Sequence, residues 1–539
     1  MSGSITLENR FGVNKMELIS LKYAIFVIVL LVLYYCFPKK YRWYVLLAGS
    51  MAYYVIICKW YVLFIIFTIC TTYGSTIWID KLLKEQNAIV KSHKEDWDRQ
   101  TRKEYKEKGR KKRVAVMLFA LLCNFGILAF LKYIPYAGEL GLLLPLGISF
   151  YTFQSMGYVM DVYREIVEPE KNFFKVALFV SFFPQIIQGP IAIYDKLAGQ
   201  LYEGHSLRLE NLQKGALLVL WGVMKKLVIA DRAVNIINFV MDKPMDFSGT
   251  YVFFAAVVYA LQLYADFSGG IDIVRGIAEM FGITMSTNFN HPYFSRSLTE
   301  YWHRWHMTLG DWCRNYIFYP LSISKRFLNF GKWLKPRFGA HISKVLPGCI
   351  ASVITFIVIG VWHGANMKYL YFGLWNGIVI MLAELFAPVN KKVAGGFFKL
   401  TGLREKGIFA TIVSVLWTFM LILVGYYFDI AANASTAFHM LFKSVTDFHI
   451  GELGINNIIL NLGACGLDEY DILLLIICTL LWFFISFVEE NKKLDMRDFI
   501  LSRKLPLRWA IIYLGIFIVI IFGYYGPGVN PADFVYMQF

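Results

Sequence analysis

Runs of about 20 apolar residues, each long enough to cross a bilayer, recur along the whole chain. They lie near residues 17–36, 42–58, 60–79, 114–134, 141–160, 173–191, 214–240, 250–267, 346–362, 368–387, 409–428, 472–488 and 509–525. Several between 141 and 290 are interrupted by Gly, Pro or charge, so the pattern predicts about eleven to thirteen crossings. The expected fold is an all-α polytopic membrane protein with additional amphipathic helices at the interface. No internal repeat or low-complexity linker divides the chain. The first 16 residues are polar and lack a cleavage-site pattern, which makes the first run an anchor rather than a removed signal peptide. Three regions follow: 1–136 with N-terminal membrane helices, 137–388 as a catalytic core, and 389–539 with C-terminal membrane helices.

Composition supports this class. Of 539 residues, 57 % are apolar, 17 % aromatic and only 17 % charged, a balance no soluble, disordered or disulfide-stapled chain of this size shows. Six of the eight Cys (Cys36, Cys58, Cys70, Cys123, Cys349, Cys478) lie in or beside apolar runs with no metal-ligand spacing, and read as small buried hydrophobes. The net charge of +16 would raise the question of nucleic acid, but the excess sits in short loops between apolar runs, where it is a topology signal.

Residues 81–113 hold 13 Lys or Arg against 6 Asp or Glu, so this loop should be cytoplasmic. Residues 322–345, 388–408 and 489–508 are also basic on balance. The acidic stretch 429–471 should face outward. Three crossings before the first basic loop place the N-terminus outside, and the last run delivers the C-terminus outside as well.

Three polar segments stand apart. Asn288–Leu321 is dense in aromatic, basic and His residues. As a helix from about Leu298, it places Trp302, Trp305, Leu309, Trp312 and Tyr316 on one stripe, with His303 and His306 on an adjacent face. That stripe suits an amphipathic helix at the headgroups, with its His merely wet, as well as it suits a site. The second segment is VWHGAN, Val361–Asn366, at the end of a long apolar run. His363 at membrane depth marks either a functional site or an imidazole bonded to a neighbouring carbonyl. The third is DFSGGIDIVRG, with Asp266, Asp272 and Arg275. These are expected to pair structurally or else to line a cavity wall. FFPQIIQGP, Phe182–Pro190, similarly brings Gln185 and Gln188 into a broken apolar run.

Together these pieces resemble the membrane-bound O-acyltransferase family, in its bacterial branch that modifies cell-envelope polymers. The matching stretches are PLGISFYTFQSMGYVMDVYR (145–164), FFPQIIQGPI (182–191), YADFSGGIDIVRGIAEMFGI (264–283), SLTEYWHRWHMTLGDWCRNYIFYPL (297–321), VWHGAN and the C-terminal FVYMQF. The resemblance implies His363 as the catalytic His and His306 as a second functional one. It assigns His303 no role, because relatives usually carry Arg or Asn there. It also implies a ring of tilted helices around a tunnel in a bacterial cytoplasmic membrane, and a C-terminal Tyr536 that relays the acyl group. Trp305, Trp362, Asn366, Asp266 and Gln188 are expected to position the substrate, with His306 or Asn366 holding it or donating to the oxyanion.

A neutral His363 as base suits acyl transfer to a hydroxyl. The expected reaction moves a short acyl group, foremost acetyl, from a cytoplasmic thioester such as acetyl-CoA to a hydroxyl of an extracytoplasmic polysaccharide or peptidoglycan. A partner acetyltransferase is expected outside the membrane, and no bound cofactor or metal. D-alanyl transfer to teichoic acid from a carrier protein is the alternative within the family. A transporter or flippase of a lipid-linked precursor is the alternative of another class, against which stands the lack of repeat symmetry. A metal site at His303, His306 and His363 has no supporting ligand pattern.

Overall fold

The computed structural model describes residues 16–134, 138, 142, 144–401, 404, 407–454, 457, 465–526 and 534. Among them the fold is all-α, without strands. Seven helices are long and apolar enough to cross a membrane, or eight if the bent pair Met367–Leu385 and Ala387–Thr401 is one span. This is a multi-pass membrane protein.

The count falls below eleven to thirteen for local reasons. The runs at 42–58 and 60–79 belong to one continuous helical stretch, Lys39–Ser92. The run at 17–36 yields the short helix Leu21–Cys36. The broken runs become shorter pieces: Ile148–Tyr163, Phe173–Ser181 with Phe183–Gln188, and Leu209–Met224 with Asp231–Met241. The basic stretches are largely helical too. Val62–Ser92 and Arg99–Tyr133 extend into 81–113, and Asp98 caps the second by accepting from the Thr101 and Gln100 N–H groups. Most of 322–345 lies in Lys325–His363, a helix broken at Gly339, where φ is +81°.

By internal contacts the chain forms two compact units, Met1–Val219 with Ile271–Ser286, and Leu220–Gly270 with Thr287–Phe539. The first has an aromatic core in which Tyr23, Tyr53 and Phe183 meet edge to face or tilted, with ring centroids 5.6–6.5 Å apart. A buried amide chain crosses it: Gln185 Nε2 donates to Gln154 Oε1 and to the Pro190 carbonyl, and Gln154 Nε2 donates to the Phe179 carbonyl.

In the second unit Lys325–His363 packs closely on Met367–Leu385. A Cβ on Gly360 would sit 2.3 Å from the Tyr369 carbonyl oxygen, and one on Gly373 would sit 2.3 Å from that of Phe356. Glycine lets these two backbones touch, and the contact sets the position of His363 at the end of its helix.

Candidate active site

His306 owes its position to a break that periodicity does not reveal. The helix expected from Leu298 stops at Arg304, Trp305 turns extended, and His306 adopts a left-handed conformation at φ +44° before Met307–Cys313 begins. A non-glycine residue there is strained. Two backbone bonds hold the turn: Met307 N–H donates to the Asn288 carbonyl at 2.9 Å, and Asn290 N–H to the Arg304 carbonyl at 3.0 Å. The break turns the two His apart. His303 is partly exposed, its Nδ1 accepting from Arg314 at 2.7 Å, whereas His306 is 2 % exposed. The expected wet His is therefore buried, and the stripe is no longer one continuous face.

Asn288 fixes the protonation of His306. Its Oδ1 accepts from the Thr308 N–H at 3.1 Å and from the Thr308 hydroxyl at 2.9 Å. A backbone N–H can only donate, so that amide atom is the oxygen. The His306 Nδ1, 3.1 Å from the same oxygen, must then carry the hydrogen. In the neutral ring this leaves the lone pair on Nε2, the tautomer logic by which one partner sets the other nitrogen. His306 lies outside the seven long helices. Burial, and after it the nearby His363, lowers its pKa from 6.5 to about 3.

His306 and His363 line the same pocket. Trp302, Trp305, Tyr301, Tyr426 and Phe372 supply its aromatic walls, and Asn376 and Asp429 supply polar groups. Trp362 packs against both imidazoles, its ring centroid 4.9 Å from that of His363 and 6.3 Å from that of His306. Phe372 and Tyr369 flank His363 at 5.4 and 6.0 Å. Trp302 Nε1 donates to Asn376 Oδ1 at 3.0 Å, and the Asn376 amide donates back to the Phe372 carbonyl. The Tyr426 hydroxyl meets those of Tyr301 and Tyr293 at 2.8 and 3.1 Å. Tyr259 donates to Asp429 Oδ2 at 2.7 Å. The walls are thus held by side chains whose own polar atoms are engaged, which suits a preorganised site.

The remaining expected positions lie elsewhere. Asn366 is exposed and is not among the residues lining the pocket. It caps Met367–Leu385 by accepting from the Lys368 N–H, and it donates to the Ala432 carbonyl. Asp266 pairs with Lys226 at 2.7 Å, while the expected partner Arg275 faces Asp272 at 3.6 Å. Gln188 belongs to the first unit; it is wholly buried, and neither of its amide atoms has a hydrogen-bond partner among the described residues. Tyr536 lies outside the described residues. Sequence reasoning missed Asn288, Asn376, Asp429 and the tyrosine cluster. Asn288 opens the distinctive segment, so its position was visible there although its partner was not.

Residues 169–335 match the sequence model of the MBOAT, membrane-bound O-acyltransferase family. The chain is 30 % identical over 315 residues to a probable alginate O-acetylase of Pseudomonas syringae, covering 58 % of this chain and 54 % of that one. It is 29 % identical over 314 residues to a peptidoglycan O-acetyltransferase of Helicobacter pylori, covering 51 % and 56 %. A teichoic acid D-alanyltransferase of Bacillus subtilis is 26 % identical over 288 residues, covering 52 % of this chain and 67 % of the relative. The chain spans little more than half the length of the first two relatives.

Proposed function

From a chain that carries an MBOAT-family domain and two His meeting in one pocket, we propose an O-acyltransferase that esterifies a hydroxyl of a cell-envelope polymer. The observation that carries this reading is the convergence of His306 and His363, far apart in sequence, on one aromatic-walled pocket. The acyl group is foremost acetyl. It comes from a thioester such as acetyl-CoA on the cytoplasmic side of a bacterial inner membrane and reaches a polysaccharide or peptidoglycan hydroxyl outside, with a partner acetyltransferase there. Both chain termini face outward in this reading.

The residues divide the work as follows. The acceptor hydroxyl attacks the thioester carbonyl as His363 takes its proton; the carbon–sulfur bond breaks, and the thiolate leaves with that proton as a thiol. His306, with its lone pair on Nε2, accepts a hydrogen bond and so orients the attacking hydroxyl. In that tautomer it has no Nε2 proton to give an oxyanion, and Asn366 does not line the pocket, so this reading gives neither residue the oxyanion. Trp305 and Trp362 wall the imidazoles from solvent, which strengthens their electrostatic contacts. For the relay assigned to Tyr536, in the FVYMQF ending, the first hydroxyl to attack the thioester is its phenol, which releases the thiol; the polymer hydroxyl then attacks the acyl-tyrosine ester and releases the phenol.

D-alanyl transfer is the second reading, favoured by the 67 % of the Bacillus subtilis D-alanyltransferase that the chain covers. Purified protein incubated with labelled acetyl-CoA and a polymer acceptor tests the first reading. His363→Ala should lower transfer by about 10²–10⁴-fold, the usual reach of general-base help, while the protein still elutes as a single species. An unchanged rate would overturn the role of His363. Label taken only from a D-alanyl carrier protein would select the second reading.

A further inference from the structure

A second buried polar centre lies in the same unit, and the transfer reaction does not call for it. Between Met224 and Asp231 the chain forms a π-helical turn, Lys225–Ala230. Such turns are uncommon and gather at functional sites. This one sends two consecutive Lys inward, and both are buried. Lys226 Nζ lies 2.8 Å from Asp231 and 2.7 Å from Asp266, and Lys225 Nζ donates to the Ser268 hydroxyl at 2.8 Å. Two Lys against two Asp leave the centre formally neutral. Charges in such an apolar setting are costly and are kept where they do something.

What meets this centre is the end of the chain. Past the last long helix, Tyr524 N–H donates to the Leu227 carbonyl, inside the π turn, at 2.8 Å. Arg232, one residue past Asp231, donates to the Phe522 carbonyl at 2.5 Å, binds Asp471 at 2.9 Å, and sits over the Tyr524 ring. Further on, Phe534 is buried, and its ring centroid lies 4.6 Å from Lys226 Nζ. A cation over an aromatic face is held most strongly where water is excluded.

The geometry points to the Lys226–Asp231–Asp266 centre as a seat for the C-terminal tail, with Phe534 as the anchor. Asp266, which holds Lys226, is followed by Phe267, whose ring packs edge-on to His306 with centroids 4.9 Å apart. The seat thus adjoins the wall of the histidine pocket through two consecutive residues of one helix. Lys226 and Phe534 are positioning residues: they fix the tail two residues before Tyr536. The consequence for transfer rests on the relay assigned to Tyr536 above; the seat itself does not.

Carboxypeptidase Y digestion of the full-length protein in detergent, followed by intact mass, reads the seat without any need for activity. On the wild type, trimming should stall at Phe534. Phe534→Leu keeps an apolar side chain and removes the ring, and should raise the fraction trimmed past position 534 by about tenfold. Phe534→Trp, with a larger π face, should restore the stall, which plain apolar filling would not require. His363→Ala should trim as the wild type does, keeping the test separate from catalysis. Equal trimming of wild type, Phe534→Leu and Phe534→Trp would overturn the seat, as would wild-type trimming past Phe534 as fast as in a free peptide of the same sequence. Faster trimming of Phe534→Leu with unchanged acyl transfer would support the seat and remove the relay.

Discussion

At Phe182 a helix stops, the backbone leaves the helical region, and Phe183–Gln188 resumes. At Trp305 another stops, His306 turns left-handed, and Met307–Cys313 resumes. In sequence the two breaks look alike, since each sets polar side chains into an aromatic-rich run. In space they differ. The first packs into protein: the Ser50 hydroxyl accepts from the Phe183 N–H at 3.1 Å, Gln185 bonds Gln154 and the Pro190 carbonyl, and Gln188 is buried with no hydrogen-bond partner among the described residues. The second has its own backbone held by 288–290, and its His lines a pocket. A buried broken helix must satisfy its backbone. What the surplus polar group then meets, packed protein or open space, separates the two breaks.

The largest expected effect tests the closed break. Gly147, at φ +71°, has its Cα so near the Ile186 carbonyl that a Cβ would lie 2.1 Å from the oxygen. Gly147→Ala adds a left-handed penalty to a clash with backbone that cannot retreat, and should cost about 3–5 kcal/mol. The expected readout is loss of the monodisperse species on size exclusion after extraction, together with a much lower melting temperature. A variant that melts with the wild type would show that the first break is loosely held, and would weaken the contrast.

Next comes the open break. Asn288→Ala removes the acceptor that places the proton on His306 Nδ1 and leaves the buried Thr308 donors unmet, at a cost of about 1–3 kcal/mol. The protein should still fold, but acyl transfer should drop by about 10²-fold because His306 is no longer held to one tautomer. If transfer stays within about twofold while stability falls, Asn288 serves the turn alone, and the two breaks are more alike than their surroundings suggest.

How much of this contrast sequence could carry follows from the range of each interaction. His363 drew notice as a His in a long apolar run, while His306 was singled out only by the family resemblance, its own segment suiting a wet interfacial His equally well; the helical class was legible from the length of the runs. The left-handed turn at His306 was not, since it depends on Asn288 and Asn290 coming alongside Arg304 and Met307. Asp266 was matched with Arg275, nearby in sequence, while the Lys226 that holds it comes from the π turn about 40 residues earlier. The expectation that Asn366 positions the substrate comes from its place beside His363. Its position just before a new apolar run already fits an N-cap, which Asn favours. Asn376 and Asp429 sit singly in apolar runs, and only packing joins them to the pocket.

The smallest expected effect concerns pH. His306 has a pKa of about 3 in the folded protein, lowered chiefly by burial, against 6.5 for the free side chain. As pH falls below 6.5 the unfolded chain takes up this proton first, so the folded state loses stability over the window from 6.5 down to about 3, by about 1.4 kcal/mol for each pH unit. Above 6.5 the residue contributes no pH dependence. His306→Gln removes the titrating group and keeps a side chain able to bond Asn288. Its melting temperature should therefore fall less than that of the wild type between pH 7 and pH 5, although the variant starts from a lower value at pH 7. Parallel curves over that range would mean that His306 is protonated inside the folded protein as readily as outside it. The second break would then be wet, as the amphipathic reading of the segment has it, and the difference between the two breaks would lie in their backbone alone.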